Sequence, residues 1–186
     1  MARKAGIIGG GVIGGGWAAR FLLSGWDVAV YDPDPEAPRK VGEVLANARA
    51  SLPALSDGPM PPEGRLSFAA SVSEAVEGAH YIQESVGERL DLKHRVMAQI
   101  QQAAPLGTPV GSSTSGFKPS ELQQGAANPG VIFVAHPFNP VYLLPLAEVV
   151  PSARSDMAGM EGAEKNLRGN GLFPPHVRKA NAAPIA

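Results

Sequence analysis

Apolar residues along this chain fall into short runs, and the polar stretches between them carry a helical period. "KAGIIG" (4–9), "DVAVYD" (27–32), "AHYIQES" (79–85), "TPVGSS" (108–113), "GVIFVA" (130–135) and "LAEVV" (146–150) read as buried strands, with a shorter one near Leu66–Phe68. Apolar runs of this length suit parallel strands covered on both faces. Helices are expected from Gly14 to Ser24, from about Glu36 to Leu52, over about 88–103 and over about 155–168. Leu92, Val96 and Ile100 recur every fourth position and so share one helix face. Gly25 stands where a helix-ending glycine belongs, and Ser71 with Glu74 three residues on has capping-box spacing. "PALSDGPMPPEG" (53–64) is a loop on its proline and glycine content. Strands and helices alternate, which predicts an α/β, doubly wound, mostly parallel sheet. Ligands of such sheets sit beyond the carboxyl ends of the strands, where strand order reverses. Chemistry is therefore to be sought just after each strand.

Bulk composition narrows the partners. The chain has 186 residues, 44% of them hydrophobic, and a formal net charge of −1. That length suits one domain, or a domain and a fragment, and near-neutral charge argues against nucleic acid or a membrane surface. There is no cysteine, which excludes disulfides, thiolate nucleophiles and cysteine-based metal sites. His80, His94, His136 and His176 are far apart without H-x-x-x-H spacing, so no metal site is expected. The start, "MARKAGIIGGGVIGGGWAARFLL", has the outline of a signal peptide. Seven of the eleven residues from Gly6 to Gly16 are glycine, however, and such a segment makes a poor apolar helix. No run is long and apolar enough to span a bilayer, and a cytoplasmic location is the expectation.

Gly9, Gly11 and Gly14 spell G-x-G-x-x-G between a predicted strand and a predicted helix. The first glycine permits a tight turn, the second lets a pyrophosphate approach the backbone, and the third lets helix and strand pack closely. The segment Gly9, Gly10, Gly11, Val12, Ile13 and Gly14 is therefore the candidate phosphate cradle of a Rossmann-type fold, aided by the positive end of the helix dipole. Asp32 ends the second strand, where a carboxylate accepts hydrogen bonds from an adenosine ribose. Its charge repels a 2′-phosphate and "PDPEAP" after it offers no arginine, so NAD rather than NADP is the expected cofactor. A tight turn beside a solvated acid is the plainer alternative.

The run "VAHPFNPVYLLPLAEVV" (134–150) delivers His136 just after one strand and Glu148 into the next. Oxidising an alcohol with a nicotinamide needs a base for the hydroxyl proton, and imidazole titrates near neutrality. A carboxylate on its far nitrogen fixes the tautomer and stabilises the imidazolium. An acid in an apolar run needs a partner, and His136 is the economical one. Ser115, in "GSSTSG", is a third candidate, although spacing alone favours a turn or a helix cap for it.

These residues carry a resemblance. "GSSTSGFKPSELQ" followed by "HPFNPVYLLPLAEVV", with "IIGGGVIGGGWAARFLLSGWDVAVYDPDPEA" before them, resembles the 3-hydroxyacyl-CoA dehydrogenase superfamily over nearly the whole chain, and most of all its L-carnitine 3-dehydrogenase branch. The resemblance implies His136 as catalytic base, Glu148 as its orienting partner, Ser115 as donor to the reacting oxygen, and Asn139 as a holder of nicotinamide or substrate. It adds Glu88 and Lys93, from "ESVGERLDLK", to the cofactor contacts; a solvated helix face is the alternative for both. Acyl-CoA members usually read Asn-Thr-Ser-Ser and His-Phe-Phe-Asn-Pro. Ser113, Gly116 and Pro137 replace three of those residues here, which favours the carnitine-like branch. The quaternary ammonium of that substrate attracts aromatic faces, and Phe117, Phe138 and Tyr142 are near the site in sequence.

The resemblance also implies a helical domain after the dinucleotide-binding one. Residues 1–179 are expected to be the NAD-binding domain and 180–186 the start of a truncated helical domain or a tail, so that domain is expected to be absent. Three functions are the expectations: NAD-dependent oxidation of the 3-hydroxyl of L-carnitine or a similar β-hydroxy acid, an NAD-binding module without turnover, or a dehydrogenase of hydroxyacyl-CoA or a sugar acid. A small-molecule substrate and self-association through an exposed apolar patch complete the picture.

Overall fold

All seven runs form strands, and they assemble into one sheet; the computed structural model describes residues 3–56 and 58–175. The strands are β1 (Lys4–Ile8), β2 (Asp27–Tyr31), β3 (Leu66–Phe68), β4 (Tyr81–Glu84), β5 (Val110–Ser112), β6 (Ile132–Pro137) and β7 (Ala147–Val150), in the order β3-β2-β1-β4-β5-β6-β7. All neighbours pair in parallel except β6 and β7, which are antiparallel. The order reverses between β1 and β4, and the crevice expected of a doubly wound sheet opens there.

Helices α1 (Val12–Leu23), α2 (Ala37–Ser51) and α6 (Met157–Gly169) cover one face, and α3 (Val72–Val76), α4 (Leu90–Ala103) and α5 (Pro119–Leu122) the other. Strand periodicity sends Ile7 to the first core and Ile8 to the second. Trp17, Phe21, Trp26, Tyr81 and Phe133 form a continuous aromatic row in the first core, with neighbouring ring centroids between 5.2 and 6.4 Å apart.

Helix α1 ends as Gly25 predicts. Gly25 has φ +82°, its N–H donates to the Leu22 carbonyl at 3.0 Å, and the Trp26 N–H donates to that of Phe21 at 3.0 Å. This is a Schellman motif with its usual apolar contact, here Trp26 on Phe21. Arg20, only 5% exposed, donates to the carbonyls of Tyr142 (3.0 Å) and Gly171. It ties the loop before β7 and the end of α6 to α1.

Three differences from expectation have a physical reason. Helix α1 starts at Val12 rather than Gly14, because Gly11 acts as a cap without a side chain and leaves no polar marker. Strand β6 is displaced toward the carboxyl end because Pro129–Val131 form a 3-10 turn, so His136 lies within the strand instead of after it. Helix α5 has four residues, too few to show a period. The proline-interrupted "GLFPP" runs beside β7: Phe173 N–H donates to the Pro145 carbonyl at 2.6 Å, and Val149 N–H to that of Pro175 at 3.1 Å. At an edge, prolines forfeit no ladder bond. His176 and the boundary expected at residues 179 and 180 lie outside the described residues.

One ion pair pins the crevice wall. Glu84 ends β4 and Lys93 lies on α4; their exposures are 0% and 1%, and Lys93 Nζ stands 2.9 Å from Glu84 Oε1. Glu84 also accepts from the Val86 N–H at 2.7 Å and the Ser112 hydroxyl at 2.5 Å. Lys93 donates further to the Val86 carbonyl at 3.2 Å and meets Glu88 at 3.3 Å. Removing the cation leaves a buried carboxylate uncompensated, which costs about 3–5 kcal/mol. Lys93→Met is therefore expected to lose that much in urea unfolding, and adding Glu84→Gln to recover most of it. A loss below about 1 kcal/mol for Lys93→Met, the worth of an exposed pair, would contradict the assignment.

Candidate active site

The glycine loop joins β1 to α1 at the crevice, and its geometry explains its composition. Gly9 has φ +101°, and a Cβ there would lie 2.5 Å from the Ser85 carbonyl oxygen, so the exits of β1 and β4 approach too closely for a side chain. At Gly14 a Cβ would lie 1.7 Å from the Gly9 carbonyl oxygen, which is how closely the helix sits on the turn. At Gly11 a Cβ would meet nothing within 4 Å. The space above the loop is open, and Val12 beside it is 66% exposed while Ile13 packs toward the core. No side chain caps α1, so its first N–H groups face that space with the positive end of the helix dipole.

A cavity of about 500 Å³ lies beyond the ends of β1, β2 and β4. Ile8, Val72, Val86, Leu92 and Val96 give it apolar walls, and Asp32 and Ser85 stand at its polar side. An adenosine fits such walls. Asp32 Oδ2 accepts from the Gly10 N–H at 2.6 Å and Oδ1 from the Asp34 N–H at 2.8 Å. These bonds fix the carboxylate, which keeps further lone pairs for a ribose. The donors and the apolar walls thus fit a dinucleotide extended over the loop.

Glu88 and Lys93 take different places. Lys93 is neither on a solvated face nor free, since its ammonium is enclosed by Glu84, Glu88 and the Val86 carbonyl. Glu88 is 43% exposed and accepts from the Thr114 hydroxyl and from the N–H groups of Ser115 (3.1 Å) and Gly116 (2.8 Å). Burial alone would raise its carboxyl, but those hydrogen bonds and the Lys93 charge outweigh burial and hold it below the usual range. Glu88 thereby shapes the turn that carries Ser115, whose side chain is exposed at the end of β5.

His136 and Glu148 are brought together by register. In the antiparallel ladder His136 is the direct partner of Glu148, and such cross-strand partners point to the same face. His136 Nδ1 lies 3.5 Å from Glu148 Oε2, with side-chain exposures of 12% and 9%. The Phe138 ring stands edge-on to the imidazole, centroids 5.9 Å apart. Asn139 comes next, in the exposed turn. The three aromatic candidates do not converge, because Phe117 packs against the core of one face and Tyr142 against that of the other.

The remaining described histidines are occupied by the backbone. His80 Nδ1 accepts from the Lys4 N–H at 3.1 Å, and His94 Nε2 lies 2.7 Å from the Glu121 carbonyl. Among the described residues no group of three metal-binding side chains occurs, and no helix is long and apolar enough to cross a membrane. Sequence reasoning missed a polar cluster under the crevice. Ser113 Oγ takes hydrogen bonds from Trp17 Nε1 (3.1 Å) and Gln83 Nε2 (2.8 Å) and lies 2.8 Å from Ser85 Oγ. Its one visible signal was the polar pair Gln83–Glu84 inside an otherwise apolar strand.

Comparison with known proteins agrees with this geometry. Residues 4–179 match the family described as 3-hydroxyacyl-CoA dehydrogenase, NAD binding domain. The L-carnitine dehydrogenase/betainyl-CoA thioesterase of Ruegeria pomeroyi is 66% identical over 182 residues, 98% of this chain and 37% of that protein. The L-carnitine dehydrogenase of Mesorhizobium japonicum is 51% identical over 180 residues, 96% of this chain and 50% of that protein. The chain thus spans about a third to a half of the length of these relatives. Among solved structures, an NAD+-dependent dismutase, 5-formyl-3-hydroxy-2-methylpyridine 4-carboxylic acid 5-dehydrogenase, superposes with a TM-score of 0.90 at 30% identity, covering 100% of this chain and 60% of that one. The 3-hydroxybutyryl-CoA dehydrogenase of Escherichia coli shares the fold, with a TM-score of 0.81 at 23% identity over 94% of this chain and 38% of that one. With NAD as its cofactor, the chain belongs to the 3-hydroxyacyl-CoA dehydrogenase family, as an NAD-binding domain of it.

Proposed function

We propose that this domain serves NAD-dependent oxidation of the 3-hydroxyl of L-carnitine or a closely similar β-hydroxy acid. The observation that carries the reading is the register pairing of His136 with Glu148 at the carboxyl end of β6, on the same edge of the sheet as the ends of β1, β2 and β4. Bound NAD supplies the hydride acceptor. His136 takes the hydroxyl proton on Nε2, while Glu148 holds the Nδ1 side and stabilises the imidazolium that forms. Their 3.5 Å separation suits a free enzyme, in which catalytic hydrogen bonds are long and tighten with substrate. Ser115 donates to the reacting oxygen and Asn139 holds the substrate or nicotinamide side. Glu88 acts on the cofactor through the turn it shapes, and Lys93 through Glu84 and Glu88. The substrate class rests on the names of the relatives, L-carnitine dehydrogenase, and on Pro137, Ser113 and Gly116 in place of the acyl-CoA pattern. We take residues 1–179 as the NAD-binding unit and 180–186 as the start of the adjoining segment, in a protein acting in the cytoplasm.

A second reading, an NAD-binding module without turnover of its own, draws on the exposure of Ser115 and Asn139, because an unshielded site excludes water poorly. Calorimetric NAD titration beside NADH production from L-carnitine, 3-hydroxybutyryl-CoA and gulonate separates the readings. Carnitine turnover with NAD binding supports the first, and binding without turnover selects the second. His136→Ala is expected to lower turnover by about a hundredfold to ten-thousandfold and to leave NAD affinity within about twofold. Unchanged turnover removes His136 from the chemistry.

We also propose self-association between copies of this chain. Leu55, Leu144 and Phe173 are 63%, 41% and 59% exposed. They are neighbours: Leu55 and Pro145 line one cavity, and Phe173 N–H bonds the Pro145 carbonyl. Light scattering is expected to show a mass that rises with concentration, and a monodisperse monomer throughout would contradict it.

A further inference from the structure

A directed chain of hydrogen bonds runs from the core to the crevice and ends at Ser85. Tyr81 is fully buried, and its hydroxyl donates to Gln83 Oε1 at 2.8 Å. Gln83 Nε2 donates to the Ala135 carbonyl at 3.2 Å. A carbonyl only accepts, so the orientation of the amide is settled. The same nitrogen donates to Ser113 Oγ at 2.8 Å, and the Trp17 indole N–H, a pure donor, reaches that oxygen at 3.1 Å. A hydroxyl oxygen has two lone pairs and one proton. Trp17 and Gln83 use both lone pairs of Ser113. Its proton therefore goes to the neighbour that remains, Ser85 Oγ at 2.8 Å.

Ser85 is thus an acceptor from below, and its own proton is committed to none of the described residues. Each bond in such a chain polarises the next, which strengthens the terminal donor. Gly111 keeps the chain intact: a Cβ there would lie 2.6 Å from the Tyr81 hydroxyl and 2.8 Å from Gln83 Oε1. Ser85 is among the residues that line the cavity, with Gly9 and Gly11, and its N–H bonds the Ile8 carbonyl at 2.7 Å. It stands across the switch point from Asp32. For a dinucleotide laid across the switch point with its adenosine on the Asp32 side, the second phosphate and the ribose attached to it fall on the β4 side.

We propose that Ser85 is a cofactor-binding residue that donates its hydroxyl proton to an oxygen of NAD beyond the first phosphate, with Trp17, Gln83 and Ser113 as the positioning residues that aim it. The proposal rests on NAD as the cofactor. It is tested by calorimetric titration of the purified protein, its Ser85→Ala variant and its Ser85→Thr variant with NAD, ADP-ribose, ADP and AMP. Loss of the hydroxyl is expected to weaken NAD and ADP-ribose about tenfold, to leave AMP unchanged, and to be repaired by threonine within about threefold. ADP weakened as much as NAD places the acceptor on the phosphate; ADP unchanged places it on the ribose. Equal NAD affinity in the parent and Ser85→Ala overturns the proposal, as does an equal loss for AMP or a failure of threonine to restore binding. A parent that binds no NAD sinks the cofactor reading instead, so the two failures are distinct.

Discussion

The constraint on which the crevice depends is the approach of two backbones at the centre of the sheet. Where β1 and β4 leave the ladder, the Gly9 turn lies against the Ser85 carbonyl with no space for a side chain. That contact brings the uncapped start of α1, the Asp32 carboxylate and the end of β4 around a single crevice. The buried Glu84–Lys93 pair serves it from the other face, because both groups also hold the turn after β4. Without these supports the glycines would be a flexible loop rather than a cradle.

The proposed base and its partner depend on strand direction. A parallel β7 would leave the His136–Glu148 register unmade, whereas the antiparallel ladder sets the two residues opposite each other. A slip of one residue would send Glu148 to the other face of the sheet. The apolar neighbours Val134, Val149 and Val150, all at most 1% exposed, oppose such a slip by packing into the two cores. Core packing thus fixes the geometry of the proposed base.

Much of this was legible in the chain itself. Buried parallel strands announce themselves as apolar runs, and G-x-G-x-x-G between a strand and a helix carries its own steric reason. Gly25 marked the end of α1 because a left-handed residue is needed there. The hidden part depends on contacts between different elements. Lys93 looked like part of a helix surface until Glu84 and Glu88 enclosed it. Ser113 looked like the end of a strand until Trp17, 96 positions away, donated to it. His136 was placed after its strand because a 3-10 turn at Pro129–Val131 consumed the first part of the apolar run. Periodicity registers repeats within one element, and the first two of these are contacts between elements.

The Arg20 brace gives α1 a mechanical character. One end of this helix is the candidate seat of the dinucleotide, and eight residues along, about 12 Å at 1.5 Å per residue, Arg20 grips the loop that leads into β7. The gap between the cofactor's anchor and the strand bearing Glu148 is therefore gauged by a stiff rod instead of a string of loops. A residue gained or lost inside α1 would throw the two halves of the machinery out of alignment.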